Sequence, residues 1–249
     1  MRLPLARRLL AELVGTALLV TVVIGSGIAA QQLSPNDVGL QLLENSTATV
    51  LGLAVLILLF GPVSGAHFNP VVSVADWLLG RRAGTGLRRG EVVGYALAQC
   101  LGAVAGALLA NAMYSLAVLQ ISDKDRATSG HLLGEVVATL GLIALIFALA
   151  RTGRAALSAG AVGAYIGAAY WFTSSTSFAN PAVTVGRMFS DTFAGIAPAS
   201  APAFIVAQLV GAGLGVGLVV LLYPDVSRAA SEVVVPHPDP STTGSSRHE

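Results

Sequence analysis

Residues 177–187 read SFANPAVTVGR, and residues 67–76 read HFNPVVSVAD. Each stretch holds an asparagine followed by a proline, and the two pairs lie 111 positions apart. Asparagine is a favoured helix N-cap and proline a favoured first helical residue, so each pair marks the start of a helix. From Asn69 to Leu79, or from Asn180 to Ser190, about eleven residues at 1.5 Å rise give ~16 Å of helix, half of a ~30 Å bilayer core. Each segment is predicted to be a half-helix that begins at the asparagine-proline pair.

Composition supplies the bilayer. The chain has 249 residues, 54% apolar and 11% charged, whereas about a quarter of a soluble domain is charged. Uncharged runs near residues 13–30, 45–66, 92–119, 136–150, 155–173 and 192–223 approach the ~20 residues that a membrane helix needs. The fold class is therefore all-α integral membrane, with six transmembrane helices plus the two half-helices. The first thirty residues imitate a secretory signal peptide, but Glu12 interrupts the apolar region and five spans follow, so the segment is read as a retained first span. A net charge of +1 offers no basic surface for nucleic acid. Cys100 is the one cysteine and starts no disulfide or metal argument. No catalytic set, cofactor or metal site is expected.

Lysines and arginines orient the spans. With a cytoplasmic N-terminus, Arg2, Arg7, Arg8, Arg81, Arg82, Arg88, Arg89, Arg151, Arg154, Arg228 and Arg247 all face the cytoplasm. Only Lys124, Arg126 and Arg187 fall outside. The expectation is a multi-pass plasma-membrane protein with both termini cytoplasmic. The channel domain is placed at 1–223, and the Pro- and Ser-rich segment 224–249 is read as a disordered cytoplasmic tail.

Three landmarks recur in the same order. Glu12 with Thr16 in ELVGT matches Glu135 with Thr139 in EVVAT, the asparagine-proline pairs match each other, and AQCLGA at 98–103 matches AQLVGA at 207–212. The repeats are bounded at about 8–120 and 131–223. Each holds three spans, so the second copy enters the membrane from the opposite side, and the halves form an inverted repeat. The half-helices then approach from opposite surfaces and meet N-terminus to N-terminus near the midplane. Non-helical backbone at that depth needs burial by protein or a watery cavity, which points to a pore.

These motifs, ELVGT, SGAHFNPVVS, YALAQCLGA, the second glutamate and FANPAVT, resemble the major intrinsic protein family of aquaporins and aquaglyceroporins over residues 8–223. The resemblance implies a passive channel with one pore per protomer, assembled as a homotetramer in the lipid bilayer. Asn69, Pro70, Asn180 and Pro181 would form the pore centre. Each asparagine would cap its own half-helix at Val71 or Val72, and at Ala182 or Val183, and turn its NH2 toward the solute; capping alone is the plainer reading. Glu12 and Glu135, with Gln99 and Gln208, are read as buttresses of the half-helix loops, a proton relay being the alternative for the carboxylates. His67 would line or support the cytoplasmic vestibule.

Selectivity rests on departures from the family pattern. The family usually carries an arginine directly after the second asparagine-proline-alanine, where this chain has Val183. A count without gaps puts the other filter positions at Thr49, Ala168 and Ser177, and a slip of two or three at Ala168 would bring in Tyr170 or Trp171. Arg187 stands one helical turn beyond Val183, as a displaced charge at the outer mouth or as a surface anchor. An arginine-free filter is similar to that of a bacterial subgroup associated with metalloid, especially arsenic, resistance. Small neutral solutes such as glycerol, urea or undissociated arsenite are the expected substrates. A secondary transporter using the two carboxylates and a closed-pore structural protein are the rival readings.

Overall fold

The computed structural model describes residues 3–81 and 84–223. Arg2, Arg82 and the tail from Pro224, with the disorder expected of it, lie outside the described residues.

Eight α-helices follow one another among the described residues: α1 (Leu5–Leu33), α2 (Val38–Ser64), α3 (Pro70–Gly80), α4 (Arg89–Met113), α5 (Ser129–Arg151), α6 (Ser158–Phe172), α7 (Pro181–Arg187) and α8 (Ala201–Leu222). A single tight turn, Ala155–Leu157, leads into α6. Six segments are long and apolar enough to cross a membrane, with α3 and α7 the short exceptions. Leucines and valines such as Leu51, Val55, Leu58 and Leu59 on α2 are exposed. An apolar outer face of this kind suits an apolar surrounding rather than water.

Glycine sets how closely the helices cross. A Cβ at Gly102 or Gly106 of α4 would sit well inside van der Waals contact of the Leu13 and Ala17 carbonyls of α1. At Gly211 and Gly215 of α8 it would strike the Val136 and Leu140 carbonyls of α5. Leu13 and Val136 are 123 positions apart, as are Ala17 and Leu140, so the same backbone-to-backbone crossing is built twice. Small residues let membrane helices approach in this way. The start of α1 is tied to the start of α4 by the Arg8–Glu91 ion pair and by Arg8 lying 5.9 Å above the Tyr95 ring.

The half-helices start where the sequence places them, each capped by its asparagine. Their ends differ from expectation. The first runs eleven residues to Gly80, while the second stops after seven, at Arg187 rather than Ser190. The carbonyls at its end are taken by two other loops, the one that follows α7 and the one between α4 and α5. Ile196 N–H donates to the Arg187 carbonyl (3.3 Å) and Ser122 N–H to the Met188 carbonyl (2.9 Å).

Candidate functional site

The site is assembled from two loops, of five and eight residues, that lead into the half-helices. Ser64 and Gly65 end α2, and residues 65–69 carry the chain to the first asparagine; residues 173–180 do the same after α6. Ala66 and Phe68 have φ of 47° and 50°, and Ser177 and Ala179 have 50° and 49°, so the left-handed backbone recurs at the same 111-residue offset. Non-glycine residues hold this conformation only where their surroundings over-determine it. Here a buried carboxylate does so in each half. Glu12 accepts from Ser64 Oγ (2.6 Å), His67 N (3.0 Å), Phe68 N (2.7 Å) and Gln99 Nε2 (2.7 Å). Glu135 accepts from Phe178 N (2.9 Å), Ala179 N (2.8 Å) and Gln208 Nε2 (2.6 Å). Each glutamine also donates to a half-helix hydroxyl, Gln99 to Ser73 (3.2 Å) and Gln208 to Thr184 (2.9 Å).

The asparagines then meet across the two halves. Asn69 Oδ1 accepts from Val71 N (3.1 Å), and Asn180 Oδ1 accepts from Ala182 N (2.9 Å) and Val183 N (3.3 Å). Asn69 Nδ2 donates to the Ala179 carbonyl (2.8 Å) and Asn180 Nδ2 to the Phe68 carbonyl (2.7 Å). Each amide thus spends one of its two N–H groups on the opposite loop. The remaining N–H of each is available to the cavity that both asparagines line.

That cavity, about 60 Å³ in volume, runs from His67 past both asparagines to Arg187. Its walls are stripes at i, i+4 spacing: Leu19 and Val23 on α1, Leu53 and Ile57 on α2, Leu142 and Ile146 on α5, Val162 and Ile166 on α6. Leu19 with Leu142, and Val23 with Ile146, repeat at the 123-residue offset. Sequence reasoning overlooked these wall residues, although that offset combined with helical spacing would have found them. His67 lines the opposite end from Arg187, its Nδ1 3.0 Å from Ser73 Oγ and its ring 5.4 Å from Tyr95.

At the Arg187 end, Thr49, Ser177 and Val183 line the cavity and Ala168 does not. Ala168 is exposed on the outward side of α6. Val162, Ile166 and Tyr170 share the inward face, and a residue two positions from Ile166 and Tyr170 points to the other side of the helix. The gap-free count therefore does not reach the lining there, whereas Tyr170 does, its hydroxyl 3.2 Å from Thr49 Oγ1. Trp171 is half exposed and donates to Ser46 Oγ (3.3 Å) instead.

Arg187 lies in the lining and is 2% exposed. Its guanidinium stacks 3.4 Å above the Phe178 ring centroid, and its Nε donates to the Ala194 carbonyl. A surface anchor is thereby excluded. Arg126, from the loop between α4 and α5, lies against the same ring at 5.3 Å. Lys124 beside it is held down to about 8, by desolvation first and by the Arg126 and Arg187 charges second. Among the described residues, no cluster of histidine, cysteine and carboxylate side chains could hold a metal ion.

Comparison with known proteins agrees with this geometry. The sequence matches the family model of the major intrinsic proteins over residues 1–175 and 158–246. It is 49% identical over 208 residues to the aquaglyceroporin AqpS of Rhizobium meliloti, covering 84% of this chain and 86% of that one. It is 32% identical to the glycerol uptake facilitator protein of Pseudomonas aeruginosa, covering 84% and 85% respectively. The fold is similar to the X-ray structure of the aquaglyceroporin from Plasmodium falciparum, with a TM-score of 0.65 at 19% identity over 91% of this chain and all of that one. An inverted repeat closed by two crossed asparagine caps, together with these matches, makes the chain a member of the major intrinsic protein family, whose aquaglyceroporins are membrane channels and not enzymes.

Proposed function

We propose that this protein passes small uncharged polyol-like solutes, with glycerol as the reference and urea and undissociated arsenite in the same class, down their gradients across the plasma membrane. The observation that carries this reading is the cavity itself, apolar on the stripes of α1, α2, α5 and α6 and polar at Asn69, Asn180, Ser177 and Arg187. A polyol has the same two-sided character, with carbon along one edge and hydroxyls along the other. The Ser177 hydroxyl is buried in the lining without a hydrogen-bond partner among the described residues, and it suits a passing hydroxyl. The names of the Rhizobium and Pseudomonas relatives point to the same solute class.

In this reading Thr49, Tyr170, Ser177, Val183 and Arg187 form the constriction, and the filter is not free of arginine. The charge arrives one helical turn later than usual and leaves Val183 as an apolar wall. The coupled-transporter alternative is disfavoured because Glu12 and Glu135 stand outside the cavity lining, with their oxygens taken by donors. Cytoplasmic termini and a homotetrameric assembly belong to the same proposal.

Osmotic swelling of proteoliposomes tests it. Wild type is expected to admit glycerol with no ion gradient, and Val183→Arg to cut glycerol flux about tenfold, as one altered contact in a discriminating pocket does, while water flow persists. Equal glycerol flux in the two proteins at equal abundance would remove Val183 from the constriction. Absence of flux without an ion gradient in wild type would return the coupled carrier or the closed pore.

A further inference from the structure

Arg126 does not line the cavity, yet it is 7% exposed and carries no carboxylate within ion-pair distance among the described residues. A guanidinium buried in this way needs its N–H groups satisfied by other acceptors. Arg126 Nε donates to the Gly195 carbonyl (2.8 Å) and Nη2 to the Phe193 carbonyl (3.1 Å). Those residues flank Ala194, whose carbonyl holds Arg187 Nε. The Arg126 backbone N–H is itself fixed by Ser200 Oγ (3.0 Å), at the far end of the same loop. Arg126 and Arg187 share a second surface, the Phe178 ring. The two side chains thus meet at both places that orient Arg187, the Phe193–Gly195 carbonyls and the aromatic ring.

We propose that Arg126 is a specificity-determining positioning residue, which clamps the 193–195 segment and so fixes the guanidinium of Arg187 at the mouth of the pore. The proposal rests on the reading of Arg187 as part of the constriction. It also gives the loop between the two repeats a role, because that loop supplies the brace for the second repeat's filter. Without the brace, Arg187 keeps its stacking partner but loses a fixed acceptor, and its terminal N–H groups sweep a wider mouth. Discrimination by solute size should suffer, while the rest of the pore, from Tyr170 to His67, is untouched.

The experiment compares stopped-flow flux of water, urea, glycerol and the larger polyol ribitol in proteoliposomes of the full chain. The proteins are wild type, Arg126→Ala, Arg126→Lys, Arg187→Ala and the double alanine variant. Arg126→Ala is expected to lower the glycerol-to-ribitol ratio about tenfold with water flow within about twofold of wild type. Arg126→Lys should recover part of the ratio, since an ammonium reaches one carbonyl but presents no planar fork. The double variant should match Arg187→Ala, because residues acting through one group are not additive. A merely structural role would lower all four fluxes in proportion and leave the ratio unmoved, and that result overturns the proposal. Additive losses in the double variant overturn it as well. If Arg126→Ala is not recovered folded, Arg126→Lys is read by the same criterion, with a wild-type ratio as the overturning result. An unchanged ratio in Arg187→Ala would instead remove the filter reading beneath the proposal.

Discussion

Glu12 and Glu135 are 0% exposed in apolar surroundings, and the Ser64, His67, Phe68, Gln99, Phe178, Ala179 and Gln208 groups that meet them are all donors. A carboxylate is the side chain that accepts at all of its lone-pair sites without offering a proton in return. That requirement explains the residue type without any proton transport. Glutamine at position 135 would keep one acceptor oxygen but would turn an NH2 toward Ala179 N and Gln208 Nε2, which are both donors. Glu135→Gln is therefore expected to lower stability by about 1–3 kcal/mol, the cost of leaving buried donors unsatisfied, while the folded protein still conducts glycerol. Thermal unfolding in detergent reads the first effect and liposome swelling the second. Intact folding with abolished flux would instead assign the carboxylate to transport. The same residue-level view explains Asn69 and Asn180, since an amide alone can accept from its own helix, donate to the opposite loop and retain a second donor.

At the scale of elements, glycine decides whether helices touch through backbone. Gly102→Ala in α4 would drive a methyl group into the Leu13 carbonyl, a backbone atom that cannot swing aside, and should destabilise by about 1–3 kcal/mol through overpacking. Gly213→Ala in α8 meets nothing within 4 Å and should be neutral or stabilising by up to about 1 kcal/mol through helix propensity. Melting temperatures of the two variants in the same detergent check the contrast, and equal shifts would refute the packing argument. Element starts were legible in the sequence because caps are local: the asparagine-proline pairs mark Pro70 and Pro181 to the residue. Element ends and faces were less so, because they depend on partners far away in the chain. The second half-helix stops at Arg187 because residues 122 and 196 capture its carbonyls. The inward face of α6 is set by its packing on α2 and α5, where Gly163 and Gly167 lie against Val50, so a count along the sequence could not separate Ala168 from Tyr170. Arg126 gave no sequence signal beyond its position on the outer side, since its partners are backbone carbonyls of residues 193 and 195.

Over the whole molecule, the inverted repeat produces two ends that are alike in backbone and unlike in charge. Arg187 stands 111 positions after Asp76, at the same place on its half-helix. Both fold the next loop back, Asp76 by accepting from Leu87 N (2.6 Å) and Arg187 by donating to Ala194, but only Arg187 lines the cavity. A cation entering from that end therefore meets the guanidinium first and the two half-helix N-termini second. Each N-terminus carries about half a positive charge, and at low local dielectric such charges repel a cation strongly. With both barriers in series, the channel should exclude protons and metal cations despite having valine at position 183. Removing one barrier should weaken exclusion, and removing both should weaken it further. Arg187→Val takes away the first, and Asn180→Asp places a negative charge where the two N-termini converge and so cancels the second. Proton flux followed by a pH dye in proteoliposomes under an imposed potential should rise in the order wild type, either single variant, double variant. If Arg187→Val is as tight as wild type while Asn180→Asp leaks, the central asparagines alone carry the exclusion, and the displaced arginine serves solute size rather than charge.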